Sequence, residues 1–226
     1  KMGEFQKINT NFNNKELEKK YVYNTYQNIA EDFSTSRYKV WDSVKDFLNN
    51  IENDSKILEV GCGNGKNLLY RKDELVSYGC DISDEFVRIC RERGLNVDKG
   101  DNINLNYKNN FFDYTISVAV IHHISSEERR IQAIKELVRV TKPGGKIFIE
   151  VWAMKQDDSS RFNFKDQDIL VPFKDKSSGE ILGKRFYHVY KEGELENEIE
   201  NLDNIKIIKK FYEKGNWGII IKKLIL

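Results

Sequence analysis

The feature that most constrains this chain is a glycine-rich turn that follows a short apolar run. Residues 57–60 are followed by glycines at alternate positions, Gly61, Gly63 and Gly65, and then by Lys66. Glycine lets the backbone turn sharply and lets a ligand approach without a Cβ in the way. A helix after the turn would offer its unpaired N–H groups to an anionic group. The segment therefore predicts a strand, a tight turn and a helix that build a nucleotide-binding crevice.

Acidic residues on both sides of the turn support this interpretation. Asp81 ends the next apolar run, where a carboxylate can bind two ribose hydroxyls. Glu59 precedes the glycines, and the spacing G-x-G-x-G differs from the G-x-G-x-x-G of dinucleotide dehydrogenases. A glycine triplet alone could be a mere tight turn. Its position after a strand, before a helix and ahead of Asp81 favours a ligand site.

Length and composition predict one globular domain over residues 1–226. The 39% hydrophobic content is enough for a full core in a chain of 226 residues. No run of eighteen apolar residues occurs, and the polar start of the chain has no signal-peptide core, so we expect neither a membrane span nor export.

Cysteine spacing and net charge indicate the cellular compartment and the kind of surface that could bind nucleic acid. Cys62, Cys80 and Cys90 have no paired spacing, which favours reduced packing thiols over disulfides or zinc. We therefore expect a cytoplasmic location, with the nucleus as an alternative. Because the net charge is +1, any basic surface for nucleic acid must be local.

Alternating strand and helix patterns predict an α/β fold with a mostly parallel sheet covered on both faces. Residues 205–212 and 217–223 flank a short turn and predict an antiparallel hairpin at the end of the sheet. The predicted strands are residues 56–60, 75–80, 95–99, 114–118 and 146–151, and the predicted helices are residues 66–72, 84–93 and 126–140.

The regions outside the sheet are assigned from their apolar spacing. Residues 1–54 are predicted as a helical lid and residues 55–151 as a cofactor-binding core. Residues 152–226 would hold the substrate-side loop and the hairpin. Residues 155–184 are polar and weakly periodic, so they predict a long surface loop.

Two further segments follow predicted strands, where open α/β sheets bind ligands. Asp101 and Asn102 follow the third strand and suit an adenine ring, although an ordinary Asp-Asn turn would look the same. Ala119 and Val120 follow the fourth strand and leave room for a ligand. His122 comes next, and we predict it to be a polar group at the crevice. A metal site is not expected, because no cysteine cluster accompanies the histidine pair.

With these residues in view, the chain resembles a known family. The glycine motif resembles the first motif of class I S-adenosylmethionine-dependent methyltransferases. More narrowly, V-W-A-M-K-Q and Y-H-x-Y-K-E-G-E-L resemble the eukaryotic tRNA methyltransferases that esterify 5-carboxymethyluridine at the wobble position. The same domain occurs fused to an AlkB-like oxygenase in animals. The matching segments are residues 57–66, 79–83, 89–94, 117–124, 129–130, 136–141, 151–156 and 187–195.

The resemblance implies a Rossmann-like fold with a seven-stranded sheet, and S-adenosyl-L-methionine as cofactor with S-adenosyl-L-homocysteine as product. The implied reaction forms 5-methoxycarbonylmethyluridine at tRNA position 34. A carboxylate with a pKa of about 4 is already ionised at neutral pH, so no general base is required. Rival hypotheses are a methyltransferase for a small carboxylic acid, a non-catalytic cofactor-binding subunit and a nicotinamide dehydrogenase.

The family motifs also imply site residues. Arg185 and Tyr187 would share one face of a strand, while His188 points away. The residues expected near the substrate carboxylate are His122, Arg37, Arg185, Tyr187 and His188. The expected cofactor residues are Tyr26, Arg37, Glu59, Gly61, Gly63, Asn64, Gly65, Asp81, Ile82, Asp101, Asn102, Ala119 and Val120.

Some of these assignments have structural alternatives. Arg37 could be a surface cap, Tyr26 could belong to the core, and Trp152 could stack on uracil or merely close the core. Val171-Pro172-Phe173 stands where family members often have V-P-W, and the segment 156–169 is short. The aromatic residue at position 173 keeps the stacking that the resemblance implies, and the family's other substrate contacts in this loop are not carried over to this chain.

The resemblance implies two partners and no membrane. One is the anticodon loop of tRNA, and the other is a small zinc-binding activator protein that adds to an edge strand. The third strand, with Leu95 and Val97, would be that edge. Candidate phosphate contacts are Arg129, Arg130, Lys142, Lys146, residues 174–184 and the cluster Lys206, Lys209, Lys210 and Lys214.

Overall fold

A seven-stranded sheet forms the centre of the computed structural model, which describes residues 5–8, 13–158, 160 and 162–225. The strands are β1 (Gln6–Lys7), β2 (Lys56–Val60), β3 (Val76–Asp81), β4 (Val97–Lys99), β5 (Phe112–Val118), β6 (Thr141–Trp152), β7 (Asp168–Lys174), β8 (Ile181–His188), β9 (Ile205–Glu213) and β10 (Asn216–Lys223). The α-helices are α1 (Asn14–Glu18), α2 (Asn24–Ser36), α3 (Asp42–Asn49), α4 (Lys66–Tyr70), α5 (Asp84–Glu92), α6 (Glu127–Val140) and α7 (Glu194–Glu200). A π-helix spans Lys19–Tyr23 and a 3-10 helix spans Ile121–His123.

The strand order of the large sheet is β4-β3-β2-β5-β6-β10-β9. The first five of these strands run parallel, whereas β10 pairs antiparallel with β6 and with β9. The predicted α/β fold with a C-terminal antiparallel hairpin is therefore confirmed. The chain leaves β2 in one direction to reach β3 and later returns to its other side as β5. Ligands bind at such a switch point, beyond the carboxyl ends of the strands.

Both faces of the sheet are buried, and the side chains of successive residues along a strand point to opposite faces. Ile57 packs with Val44 and Phe47 of α3. Leu58 packs on the opposite face with Ile134 of α6. Because both faces are covered, the central strands have continuous apolar runs in the sequence.

The prediction of a surface loop over residues 155–184 is wrong for residues 168–174 and 181–184, which lie in β7 and β8. β7 and β8 pair antiparallel, and β1 adds to β7 to make a second, three-stranded sheet. Leu170 packs with Leu17, whereas Ile169 packs on the other side with Phe164. Because both sides of β7 are covered, the segment shows no simple apolar–polar alternation. Pro172 fits here because β1 pairs only with Leu170 and Ile169.

No helix in the described ranges is long and apolar enough to cross a bilayer.

A buried ion pair joins α6 to α7. Arg130 Nε lies 2.7 Å from Glu198 Oε1, and the Tyr190 hydroxyl donates to Glu198 Oε2 at 2.8 Å. Arg130 is 4% exposed and Glu198 is 3% exposed. This burial removes Arg130 from the candidate phosphate contacts. Arg129 instead forms a less buried pair with Glu18, at 3.0 Å from Nε to Oε1.

We expect Arg130→Ala to lower the free energy of unfolding by about 3–5 kcal/mol, because Glu198 would stay buried without its counter-charge. Arg129→Ala should cost about 1 kcal/mol or less, since its pair is partly exposed. Urea unfolding of the two variants and of the parent protein measures these changes in the free energy of unfolding. The double variant Arg130→Met with Glu198→Leu should recover much of the loss, and equal losses in the two single variants would contradict this account.

Candidate active site

A cavity of about 1160 Å³ opens at the carboxyl ends of β2, β3 and β5. The turn after β2 forms its floor, and Asp81 and Ala119 border it from the neighbouring strand ends. α2 and the β7–β8 pair cover it from the other side. The second sheet, which the sequence pattern missed, therefore supplies one wall of the site.

The three glycines of the turn all have positive φ but differ in what they contact. A Cβ on Gly61 would lie 2.5 Å from Val120 Cγ2, so this glycine allows two strand ends to approach closely. A Cβ on Gly63 would meet nothing within 4 Å, because Gly63 faces open space in the cavity. A Cβ on Gly65 would overlap Leu95 and Cys90. Gly65 does not line the cavity, and its predicted ligand contact is corrected to a packing contact with the α5 region.

Asp81 lies on the cavity wall with both oxygens held by backbone donors. The Gly63 N–H donates to Oδ2 and the Ser83 N–H donates to Oδ1, each at 2.9 Å. Burial raises the pKa of Asp81 to about 6, although these hydrogen bonds oppose the rise. Each carboxylate oxygen can still accept another hydrogen bond from the cavity. The geometry suits recognition of a pair of hydroxyls.

Glu59 presents an unpartnered buried oxygen to the same cavity. The Asn67 side-chain amide donates to Oε1 at 2.6 Å, whereas Oε2 has no partner within the described chain. Glu59 is 2% exposed, and burial raises the pKa of its carboxyl group to about 8. A buried acceptor without a donor is rare and calls for a ligand or water. Asn67 was not predicted from the sequence, and its place in the first turn after the glycines was the available signal.

The side of the cavity beyond β3 and β4 is partly apolar. Ile82 is 38% exposed, and Ile82, Phe86, Asp101 and Asn102 all border the cavity. Asp101 Oδ1 also accepts from the Ile103 N–H at 3.2 Å. The turn predicted as a structural alternative is therefore present, and its residues line the cavity as well.

Asn64 ties the helical lid to the glycine turn. It is 2% exposed, and its side-chain amide donates to the carbonyl oxygens of Arg37 at 2.8 Å and Ser34 at 3.3 Å. The end of α2 is thereby held over the turn. Arg37 and Tyr26, which the resemblance implied as cofactor residues, both line the cavity.

The backbone after β5 is strained. Ala119 has φ of +58°, a region that a residue with a Cβ rarely adopts. Its N–H donates to the Glu150 carbonyl oxygen at 2.8 Å, and Ala119 and Val120 both line the cavity. Such strain is concentrated at functional sites.

The predicted placement of His122 at the crevice is wrong, and His123 lies there instead. His122 is 0% exposed, its Nδ1 accepts from the Trp152 N–H at 2.9 Å, and burial lowers its pKa well below the usual value. His123 lines the cavity. Successive residues of a 3-10 helix point about 120° apart, so the order of two adjacent histidines could not decide which one faces the ligand.

His123 belongs to a hydrogen-bonded chain that orients Tyr26. Its Nδ1 lies 2.6 Å from the Phe186 carbonyl oxygen, which can only accept, so Nδ1 carries the proton. Nε2 then accepts from the Tyr26 hydroxyl at 2.9 Å. Burial lowers the pKa of His123 to about 3, so the ring is neutral at physiological pH. Both ring nitrogens are occupied, and the role of His123 is to position its neighbours.

Arg185 is a buried cation at the inner end of the cavity. It is 6% exposed, lines the cavity and forms no ion pair with a described carboxylate. Its guanidinium carbon lies 5.3 Å from the ring centres of Phe173 and Tyr187 and 6.0 Å from that of Tyr26. Aromatic faces stabilise a cation, and the Tyr26 side chain also hydrogen-bonds to it, but the buried Nε has no hydrogen-bond partner in the described chain. The position is suited to an anionic group of a ligand.

Trp152 is part of an aromatic wall. It stacks on Tyr187 with ring centres 4.2 Å apart and planes 18° apart, and it also contacts Phe162 and Phe164. These contacts favour the core-closing alternative for Trp152, although the residue still borders the cavity.

His188 does not reach the cavity, and its predicted substrate contact is corrected. As expected from strand alternation, Arg185 and Tyr187 face the cavity while His188 points away. Its Nδ1 pairs with Asp168 and its Nε2 with Glu194, both at 2.7 Å. Burial alone would lower the pKa of His188, but these two partners outweigh it and raise the pKa above the usual 6.5. His188 thus joins β7, β8 and α7 through two carboxylates that favour its charged form.

Three comparisons with known proteins agree with this geometry. A model of the methyltransferase domain matches residues 58–149. A tRNA (carboxymethyluridine(34)-5-O)-methyltransferase of Schizosaccharomyces pombe is 35% identical over 229 residues, which cover 92% of this chain and 98% of the relative. The chain belongs to this family. The enzyme of the same name from Xenopus tropicalis is 34% identical over 261 residues, covering 92% of this chain and 41% of the relative.

Several curated relatives in the family are longer than this chain. The chain spans 41% of the Xenopus tropicalis relative and 36% of the Arabidopsis thaliana relative. Solved structures share the fold at low identity. A SAM-dependent methyltransferase from Aquifex aeolicus is 20% identical with a TM-score of 0.64, covering 88% of this chain and 98% of that chain. A chain from the complex between the Haloferax volcanii Trm112 methyltransferase activator and a methyltransferase is 13% identical with a TM-score of 0.62, covering 91% and 99%.

The ion pairs of His188 predict a pH-dependent contribution to stability. Because the folded pKa of His188 is raised, its contribution is complete below pH 6.5 and is lost as the pH rises through the raised value. Burial alone would raise the pKa of Glu194, but its hydrogen bonds with His188, the Lys191 N–H and Gln167 together lower it. Its contribution is therefore lost as the pH falls below about 4.5.

We expect His188→Asn to lower the free energy of unfolding by about 2 kcal/mol near pH 6, where the charged pairs are intact. The difference from the parent protein should shrink as the pH rises through the raised pKa of His188. Urea unfolding at several pH values measures it, and a difference that does not change with pH would contradict the charged state assigned to His188.

Proposed function

We propose that this chain transfers a methyl group from S-adenosyl-L-methionine to the carboxylate of 5-carboxymethyluridine at position 34 of tRNA. The observation that carries the proposal is Arg185, a buried cation without a carboxylate partner in the described chain, facing the cavity among aromatic rings. The family relatives are named for the same substrate, which supports the proposal. The product is 5-methoxycarbonylmethyluridine, with S-adenosyl-L-homocysteine as the second product.

The residues around the glycine turn fit the cofactor. Gly63 leaves room for close approach, Asp81 can accept from the ribose hydroxyls, and the free Oε2 of Glu59 can accept from the ammonium group. Ile82 would cover the adenine ring, with Asp101 and Asn102 at its polar edge. Arg37, with Tyr26, would bind the carboxylate of the cofactor, and Ala119 and Val120 would border its methionine portion. When bound, the cofactor supplies a methyl group on a positively charged sulfur.

The protein has to orient the acceptor and does not have to remove a proton from it. A carboxylic acid with a pKa of about 4 is ionised at neutral pH. In agreement, the histidine that faces the cavity is neutral and has both nitrogens occupied. An arginine can bind a carboxylate through two parallel N–H donors, which fixes its plane. Holding reacting groups in line then lowers the barrier.

The shape of the cavity favours a nucleotide over a small free acid. Its volume of about 1160 Å³ is at the upper end for pockets that bind one drug-sized ligand. Proteins that read single-stranded RNA commonly place unstacked bases against aromatic rings, and Tyr187, Phe173 and Phe162 line this cavity. The cytoplasmic location stays a prediction.

The activator partner is also part of the proposal. β4 is a three-residue strand at one edge of the large sheet, as the sequence predicted. An exposed edge can pair with a strand of another protein. The related fold in the complex with the Trm112 activator supports such a partner. We propose a heterodimer with a small zinc-binding activator at this edge.

The function is tested by incubating the protein, with and without a Trm112-type activator, with labelled S-adenosyl-L-methionine and tRNA that carries 5-carboxymethyluridine. We expect label in a methyl ester that mild alkali releases. The same tRNA without the carboxymethyl group is the control. Absence of transfer in the presence of the activator, or equal transfer to both tRNAs, would overturn the proposal.

Arg185→Met should lower kcat/KM for the carboxymethylated tRNA by about 10- to 100-fold, because a hydrogen bond to a charged group contributes about 1.5–3 kcal/mol. The Kd for S-adenosyl-L-homocysteine, measured by calorimetry, should change less than twofold. Lys184→Met is the matched control, since Lys184 is exposed on the same strand and donates to Gln6. An unchanged kcat/KM in Arg185→Met would contradict the assigned role.

A further inference from the structure

Four exposed lysines lie where the cavity meets solvent. Lys15 belongs to α1 and Lys19 begins the π-helix, whereas Lys174 and Lys176 belong to the end of β7 and the turn after it. None of the four side chains forms an ion pair with a residue in the described ranges. Exposed lysines without an ion pair in the described ranges also occur elsewhere, such as Lys206 on β9, so these four are distinguished by their position at the opening of the cavity. These four lysines are called the mouth lysines below.

Most acids near the mouth lysines already have partners. Glu18 is paired with Arg129. Asp175 accepts hydrogen bonds from Ser177 and Ser178 at 2.6–2.9 Å, which lower its pKa. Asp101 accepts from the Ile103 N–H. Asp32 is the acid of the cavity mouth without such a partner in the described chain. Hydrogen bonds from neutral donors do not remove the charges of Asp101 and Asp175. The four mouth lysines still outnumber Asp32, Asp101 and Asp175, so the local charge at the mouth is positive.

The basic cluster predicted at Lys206, Lys209, Lys210 and Lys214 lies on or next to β9, away from the cavity. β9 is the last strand of the large sheet, on the side away from β3 and β4, and its lysines do not line the cavity. Lys210 pairs with Glu196, Lys214 pairs with Asp42, and Lys209 lies over the ring of Phe211. Lysines on an exposed edge strand also protect it from pairing with other chains. The mouth lysines are the better candidates for contacts with a substrate.

We propose that the mouth lysines bind the RNA phosphates on either side of the nucleotide that enters the cavity. The inference rests on the proposed function. A net charge of +1 provides little general attraction for a polyanion, so affinity must come from local charge. Arg185 lies at the inner end of the cavity, so the wobble nucleotide has to leave the stack of the loop to reach it. Its flanking phosphates then stay at the entrance, beside two separate groups of lysines.

Two double variants test the inference, Lys15→Ala with Lys19→Ala, and Lys174→Ala with Lys176→Ala. The matched control is Lys206→Ala with Lys209→Ala, which removes the same charge from exposed positions on β9. The Kd for carboxymethylated tRNA is measured by fluorescence anisotropy at KCl concentrations from about 50 to 300 mM. Phosphate contacts make the affinity strongly dependent on salt over this range. The Kd for S-adenosyl-L-homocysteine is measured in parallel.

Each mouth variant should raise the Kd for tRNA by about 3- to 10-fold and reduce the slope of log Kd against log salt by about 1–2, since each lost phosphate contact removes about 0.7–0.9. The β9 variant should behave like the parent protein, and the affinity for S-adenosyl-L-homocysteine should stay within twofold in every variant.

Unchanged slopes in the mouth variants, or an equal loss in the β9 variant, would overturn the inference. If the parent protein forms the ester while the mouth variants bind tRNA normally, this inference alone fails. If the parent protein forms no ester, the proposed function fails as well.

Discussion

The buried guanidinium of Arg185, without a carboxylate partner in the described chain, is the constraint around which the site is organised. Removing a cation from water is unfavourable unless other groups compensate for the lost hydration. Here the faces of Tyr26, Phe173 and Tyr187 provide part of that compensation. The hydrogen-bonded chain from Phe186 through His123 to Tyr26 holds one of those rings in place. A substrate carboxylate would complete the compensation.

Unsatisfied polar groups are concentrated around this cavity and the strand ends that form it. Glu59 Oε2 and Asn67 Oδ1 border the glycine turn, and the Glu150 carboxyl group lies near the end of β6 with Oε1 unpartnered. Ala119, with its positive φ, hydrogen-bonds to the Glu150 backbone. Natural proteins break local rules mainly where they bind or react. The same end of the sheet thus combines the strained backbone, the buried carboxylates and the buried cation.

Sequence patterns predicted the parts of the fold in which one local signal is sufficient. β2 matches its predicted bounds, and the glycine turn, Asp81 and the β9–β10 hairpin lie where the apolar spacing indicated. Residues 185–188 were expected to form a strand, but β7 and its pairing with β8 were not predicted. Both sides of β7 are covered, which removes the alternation that marks a strand.

For the candidate site, the sequence could not predict the direction in which individual side chains point. His122 and His123 differ in their environment, not in their local sequence, and Gly65 packs inward although it belongs to the same motif as Gly63. The counter-ions of His188 come from β7 and from α7, so no spacing within β8 could reveal them.

The central claim is that a cationic site recognises the charge of the wobble-base substituent. The most direct measurement compares two anticodon stem-loops, one with 5-carboxymethyluridine and one with its neutral amide, 5-carbamoylmethyluridine, bound in the presence of S-adenosyl-L-homocysteine. We expect the carboxylate RNA to bind at least about 10-fold more tightly than the amide RNA, because of its charge-assisted hydrogen bond. Arg185→Met should abolish this difference in affinity. Equal affinity for the two RNAs in the parent protein would contradict the central claim.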